Sequence, residues 1–216
     1  MTVKFSTGVQ FAVAQTYGTA VAVSAASNAS SCVVTVADGS TFAVGDIVEF
    51  TSGWEAANNR LFRISAKSTN DLTLEGLNTS STSRYSPGGG VGSLREITAW
   101  ANITQVRQVT PQASTNEFED ISTVANSNII EVPVAQRLGG ITLELLDDPA
   151  LSFVSIVENA ADTIALTGVR IVFPDASRIL ANGYLTYSKV PSIPTRGALT
   201  NSIDVKYASV PTRYNT

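Results

Sequence analysis

The stretch Ile141-Thr-Leu-Glu-Leu-Leu-Asp-Asp-Pro149 holds one strand and the start of one helix, and the fold extends outward from it in both directions. Ile141, Leu143 and Leu145 alternate with Thr142 and Glu144, the two-residue period of a strand with one buried and one wet face. Asp148 has the side chain of an N-cap, and Pro149 suits the first helical position, where its missing N–H costs nothing. Ala150, Phe153, Ile156, Val157 and Ala160 then recur at helical spacing, so the sequence predicts a helix over 148–160 that lays Phe153, Ile156 and Val157 on a sheet. Ile164 to Phe173 and Ile179 to Tyr187 predict a hairpin turning at Pro174-Asp175. Ile203, Val205 and Tyr207 alternate with Ser202, Asp204 and Lys206 as a last strand. From Gly139 to Val210 the order is strand, helix, hairpin, loop, strand.

Within that region Val169-Arg-Ile-Val-Phe-Pro-Asp175, Leu180-Ala-Asn-Gly-Tyr184, Pro191 to Thr200 and Ser202-Ile-Asp-Val-Lys206 follow one another. Their order resembles the C-terminal half of the major tail tube proteins of long-tailed, lambda-like bacteriophages. The resemblance extends over residues 1–25 and 95–216 and is carried by the ordered set rather than by any one motif. It implies a mainly β fold, a β-sandwich with one α-helix, whose copies form hexameric rings. Their inner sheets would join into a β-barrel lumen, and stacked rings would form the tail tube through which DNA is ejected into the host. The implied partners are further copies of the chain and other tail proteins (tape measure, terminator and distal tail). DNA would pass without specific binding, and no membrane or cofactor is involved.

Length and charge agree with a structural protein. A chain of 216 residues buries enough surface for one large domain or two small ones without disulfides. Its one cysteine, Cys32, stands among Val33, Val34 and Val36 and reads as a small buried hydrophobe. With 14 Lys+Arg against 18 Asp+Glu, the net charge of −4 argues against gripping nucleic-acid phosphates. Charged residues make up only 15%, where about a quarter is usual, which suits a surface partly buried in an assembly. Met1-Thr-Val-Lys-Phe lacks the pattern of a secretory signal, and no apolar run reaches the roughly 20 residues of a membrane span. The expectation is a protein made in the host cytoplasm and built into the virion tail.

Earlier in the chain the texture differs. Val9, Phe11 and Val13 open a strand, Ser24 to Ser31 is a polar linker, and the strands from Cys32 to Leu94 are short with dense turns. The expected organisation is a tail-tube sandwich from 1–27 and 95–216, with 28–94 as an inserted small β subdomain on the outside. Trp54 and Phe62 are candidates to centre that subdomain's core; the sharper reading of Trp54 is a sugar-binding face. Thr79 to Gly92 reads as a flexible loop, and its Gly88-Gly-Gly90 lacks the Lys-Ser/Thr of a phosphate loop. Arg95 to Val109 reads as one long strand and Glu117 to Ile121 as an acidic strand. Residues 122–138 read as a long, partly ordered loop because Asn126, Asn128 and Pro133 interrupt the apolar pattern.

No constellation supports catalysis. Histidine is absent, so neither an imidazole-based triad nor a His-rich metal site can be built, and a single cysteine excludes a thiolate cluster. The acidic groups Asp147/Asp148 and Glu117/Glu119/Asp120 are explained by a helix cap and a solvated strand. The chain is therefore read as a structural protein and not an enzyme. By the family's topology the inner sheet takes 114–121, 139–146, 178–188 and 200–208, with Glu119, Glu144 and Asp204 as channel-lining candidates. Val124, Ile129, Ile130, Val132 and Val134 are the ring-stacking candidates. The rivals are a carbohydrate-binding or adhesin-type sandwich of a virion, and a head–tail joining or decoration protein. An adhesin would cluster aromatics on one exposed face, for which only Trp54 and Tyr85 are available.

Overall fold

Short alternating runs early in the chain close into a barrel. The computed structural model describes residues 7–123 and 128–215 and begins with β1 (Gln10–Tyr17) and β2 (Val21–Ala26). β3 (Val33–Val36), β4 (Ile47–Ser52), β5 (Arg60–Ser68), β6 (Asp71–Leu74) and the 12-residue β7 (Gly92–Ile103) follow. Strands β2, β3, β6, β5, β4 and β7 are neighbours in that order, and β7 pairs back onto β2. Closure leaves no unpaired edge among them. Cys32, Val34, Phe50, Phe62, Leu72 and Leu94 fill the interior. The strand set of this barrel reaches beyond 28–94 on both sides, because it takes in β2 and the start of β7.

Two readings change here. Trp54 is only 2% exposed and Tyr85 only 5%, and their rings meet edge to face with centroids 5.3 Å apart, so neither offers a sugar-binding surface. The Gly88-Gly-Gly90 run, expected to be flexible, lies over that indole. A Cβ on Gly90 would stand 2.7 Å from the Trp54 ring, and the indole Nε1 donates to the Ser86 carbonyl at 2.8 Å. Glycine is used here because the backbone must approach the ring closely, so the composition of a loop served a packed turn.

Strand β7 serves two sheets. Leu94 lies between Phe50 of β4 and Val21 of β2, whereas Ala101, further along, lies beside Val13 of β1. The chain continues through β8 (Val106–Gln112), β9 (Thr115–Asp120), β10 (Glu131–Arg137), β11 (Gly140–Leu146), α1 (Ser152–Asp162), β12 (Leu166–Val172), β13 (Arg178–Tyr187), β14 (Thr200–Tyr207) and β15 (Thr212–Tyr214). The second sheet runs β7, β1, β12, β13, β14, β11, β8, with β15 added along the start of β13. Phe11, Val13, Leu143, Val169, Ile203 and Val205 form its core face together with one side of α1. The protein is thus mainly β with one helix.

The helix differs from its sequence reading at both ends. It starts at Ser152, not at 148, because the Asp148 carboxylate accepts from the Ala150 N–H at 3.1 Å and closes a local turn instead of capping. Leu151 stands at the N-cap position with no side-chain cap. Phe153, Val154, Val157 and Ala160 are its buried residues, while Ile156 is only partly covered. At the C-terminus Ala165 N–H bonds to the Ala160 carbonyl and Ile164 N–H to the Ala161 carbonyl, a Schellman closure. Ile164 occupies the left-handed position with φ 52°, where glycine is usual, so the following strand begins at Leu166 rather than at 164.

Barrel and sheet share a seam. Ile47 and Leu61 of the barrel pack with Ala14, Ile97, Leu180 and Tyr214. The Tyr214 hydroxyl accepts from Arg63 N–H and donates to the Glu75 carbonyl, both at 3.0 Å, and Asn182 Nδ2 donates to the Asn59 carbonyl at 3.0 Å. Arg95 holds the buried Glu49 carboxylate and stacks 4.1 Å over the Tyr17 ring at the same junction.

Candidate assembly and channel surfaces

Alternation sets the two faces of strands β13, β14, β11 and β8. Ile141, Leu143, Leu145, Ile203 and Val205 point into the core, so Thr142, Glu144, Ser202, Asp204 and Lys206 occupy the other face. Register brings Thr110, Thr142, Asp204 and Thr186 into one row and Gln108, Glu144 and Ser202 into the next. This face is wired together. Lys206 Nζ donates to Gln112 Oε1 at 2.7 Å, Gln112 Nε2 donates to Thr142 Oγ1 at 3.1 Å, and Thr142 donates in turn to the Asp204 carboxylate. Arg107, the extra residue where β8 shifts register against β11, stands 4.0 Å from Glu144. Glu144 faces Arg107 and Asp204 accepts from Thr142, and the wall is rich in hydroxyls and amides, its two carboxylates matched in number by Arg107 and Lys206.

Beyond Gln112 and Gly140 the same two strands leave the sheet. β9 and β10 pair only with each other and continue the register of the β8–β11 ladder, Thr115 opposite Arg137 and Asn116 opposite Gln136. At roughly 3.3 Å per residue this ribbon projects about 20 Å. Every residue in both strands is exposed. The segment expected as an irregular loop is thus a strand over Glu131–Arg137. Pro133 is tolerated because β10 has a neighbour on one side only, and the register shift between Pro133 and Ala135 breaks the apolar period at Val134.

The candidate residues divide among these surfaces. Ile129, Ile130, Val132 and Val134 all lie exposed on or beside the ribbon, joined by Phe118 at 56% exposure, which the sequence reading left out; Val124 lies outside the described residues. Glu144 and Asp204 share the polar face. Glu119 does not join them: it lies on the ribbon, and counting along the strand it falls on the alternate side to Gln112. Phe153 and Val157 sit in the core. An acidic pair faces itself across the ribbon, Asp120 directly opposite Glu131. The Ser122 hydroxyl, together with its backbone N–H at 2.8 Å, holds the Asp120 carboxyl below its ordinary range.

Among the described residues no three His, Cys, Asp or Glu side chains are grouped to hold a metal, and no helix is long and apolar enough to cross a membrane. A cavity of about 840 Å³ opens between β1, β12 and β8; Phe11, Val109, Ile141, Ile171 and Tyr207 make its wall mostly apolar, with Arg107, Gln108 and Gln112 as its polar part.

A family profile described as phage tail tube protein, TTP, matches residues 52–216. The chain belongs to the phage tail tube protein family. The match starts at the end of β4, so it spans the later part of the barrel and the second sheet apart from β1. No curated protein matches the chain. A tail tube protein is a structural component of the virion tail that assembles with its own copies and with other tail proteins. In this tail tube protein the ribbon and the outer edge of β8, which pairs only with β11, have no strand partner beyond these pairings among the described residues, and the polar face is open beside them.

Proposed function

We propose that this tail tube protein closes into hexameric rings that stack into the tube through which DNA is ejected. The observation that carries the reading is the β9–β10 ribbon. An isolated two-stranded ribbon is marginal in water, yet this one carries Phe118, Ile129, Ile130, Val132 and Val134 in the open. Such a segment gains by burial against another copy, and a neighbouring ring supplies it. The unpaired edge of β8 is a template for a strand of the next subunit, and a head-to-tail contact that closes by rotation gives a ring. Six is the number that the lambda-like resemblance implies.

In this arrangement the β13-β14-β11-β8 face, with Glu144 and Asp204, lines the lumen. A wall bearing excess Lys and Arg would hold phosphates through counterion release, whereas hydroxyls and amides with balanced charge let DNA slide. The barrel, of which 28–94 is the larger part, stands on the outside. Terminator, tape measure and distal tail proteins are the further partners of the tube. Deleting residues 124–134 tests the ribbon. The variant is expected to fold with an unchanged melting transition and to form no long tubes under the electron microscope; tubes of normal length would remove the stacking role.

A further inference from the structure

Arg170 and Arg178 stand in a setting that this fold does not complete. Arg170 pairs with Leu180 across the β12–β13 hairpin and Arg178 with Val172, so the two are diagonal neighbours on one face, within reach of each other's long side chains. Arg170 lies 4.5 Å over the Trp100 ring. Both Nε–H groups are buried with no hydrogen-bond partner. Neither guanidinium belongs to an ion pair among the described residues, whereas Arg63, Arg95, Arg107 and Arg137 each do. Burial and the facing Arg178 push the Arg170 pKa down. Two like charges are thus held side by side with no carboxylate between them, which favours an anion arriving from outside.

The same chain carries the opposite defect. Asp120 and Glu131 face each other across the ribbon, a like-charge pair that destabilises a ladder unless a cation answers it. Both are exposed and in no ion pair among the described residues. A pair of carboxylates and a pair of guanidiniums match in number and in fork geometry. We propose that the Arg170/Arg178 pair of one copy receives the Asp120/Glu131 pair on the ribbon of another copy. Resting on the self-assembly reading above, this gives the ribbon an electrostatic address in addition to its apolar contacts. The neighbour's acids end the repulsion on both surfaces at once, and the Trp100 ring under Arg170 shields the contact from water.

The test is the critical concentration for assembly, measured by sedimentation and microscopy on the full chain. Wild type is expected to form tubes. R170E/R178E and D120R/E131R should each raise the critical concentration about tenfold or more. The quadruple variant that exchanges the signs should return it to within about threefold of wild type. Double variants that assemble like wild type, or a quadruple variant no better than the doubles, overturn the proposal while leaving the tube reading intact. Failure of wild type to assemble overturns both. If R170E/R178E loses its melting transition, R170Q/R178Q decides, with a rise of about threefold or more expected and no change refuting. Normal assembly combined with weaker retention of duplex DNA would assign the arginines to DNA phosphate instead, and would equally overturn the proposal.

Discussion

Truncating Phe153 to alanine removes a ring that is 3% exposed, in the cluster that α1 forms with the second sheet. Phe→Ala at a closed core site costs about 3–5 kcal/mol, the lost transfer energy plus the cavity left behind. For a chain of this length that corresponds to a fall in Tm on the order of 10 °C. Ile156, one turn from Phe153 on the partly covered flank, gives an internal control: Ile156→Ala removes atoms already in contact with water and should cost about 1–2 kcal/mol. Urea unfolding at concentrations where the subunit is monomeric, followed by circular dichroism and by Trp54 and Trp100 fluorescence, measures both. Equal losses, or a Phe153→Ala loss below about 1 kcal/mol, would refute the helix face described here.

Ile164→Gly should stabilise the subunit by about 0.5–1 kcal/mol, since Ile164 is 73% exposed and held at φ 52°; a lower Tm would refute the Schellman strain. Tyr214→Phe removes the hydroxyl shared by Arg63 and Glu75 and should cost about 1–3 kcal/mol in thermal or urea unfolding, whereas no loss would mean the seam is incidental. Burial raises the Tyr214 pKa from 10.0 to about 12, so its neutral form contributes stability that is complete below pH 10 and is lost as pH rises toward 12. The Phe variant should accordingly show a shallower alkaline fall in stability than wild type, and parallel profiles would contradict this. Glu144→Lys with Asp204→Lys should permit assembly and slow DNA ejection, because the added positive charge binds phosphate; unaltered ejection kinetics would place that face away from DNA.

The legible parts of the sequence were those where one face is buried and the period is unbroken. Ile141, Leu143 and Leu145, with Ile203 and Val205, alternate without interruption, and both strands and their wet faces follow directly. The β12–β13 turn was marked by Pro174-Asp175, and Asp175 indeed bonds Ser177 N–H at 3.1 Å. Asp148-Pro149 misled because an aspartate closing a local turn has the same sequence signature as one capping a helix. β10 was hidden because Val132-Pro133-Val134 shifts register, and a ribbon with no buried side imposes no alternation. Trp54 shows a different limit: a tryptophan near glycines fits a binding face or a packed turn, and only the path of Gly88-Gly-Gly90 over its ring distinguishes them. The Arg170/Arg178 pair depends on the register of the β12–β13 hairpin, and Glu119 on a parity count from Gln112. Both relations require the pairing to be known.

A cryo-electron-microscopy reconstruction of tubes grown from the purified protein tests the central claim most directly. The account predicts six-fold rings with Glu144 and Asp204 of every copy facing the lumen, β8 paired to a strand of the adjacent subunit, and each β9–β10 ribbon buried against a neighbouring ring. Tubes whose lumen is lined by the barrel, or a protein that remains monomeric at high concentration, would contradict it.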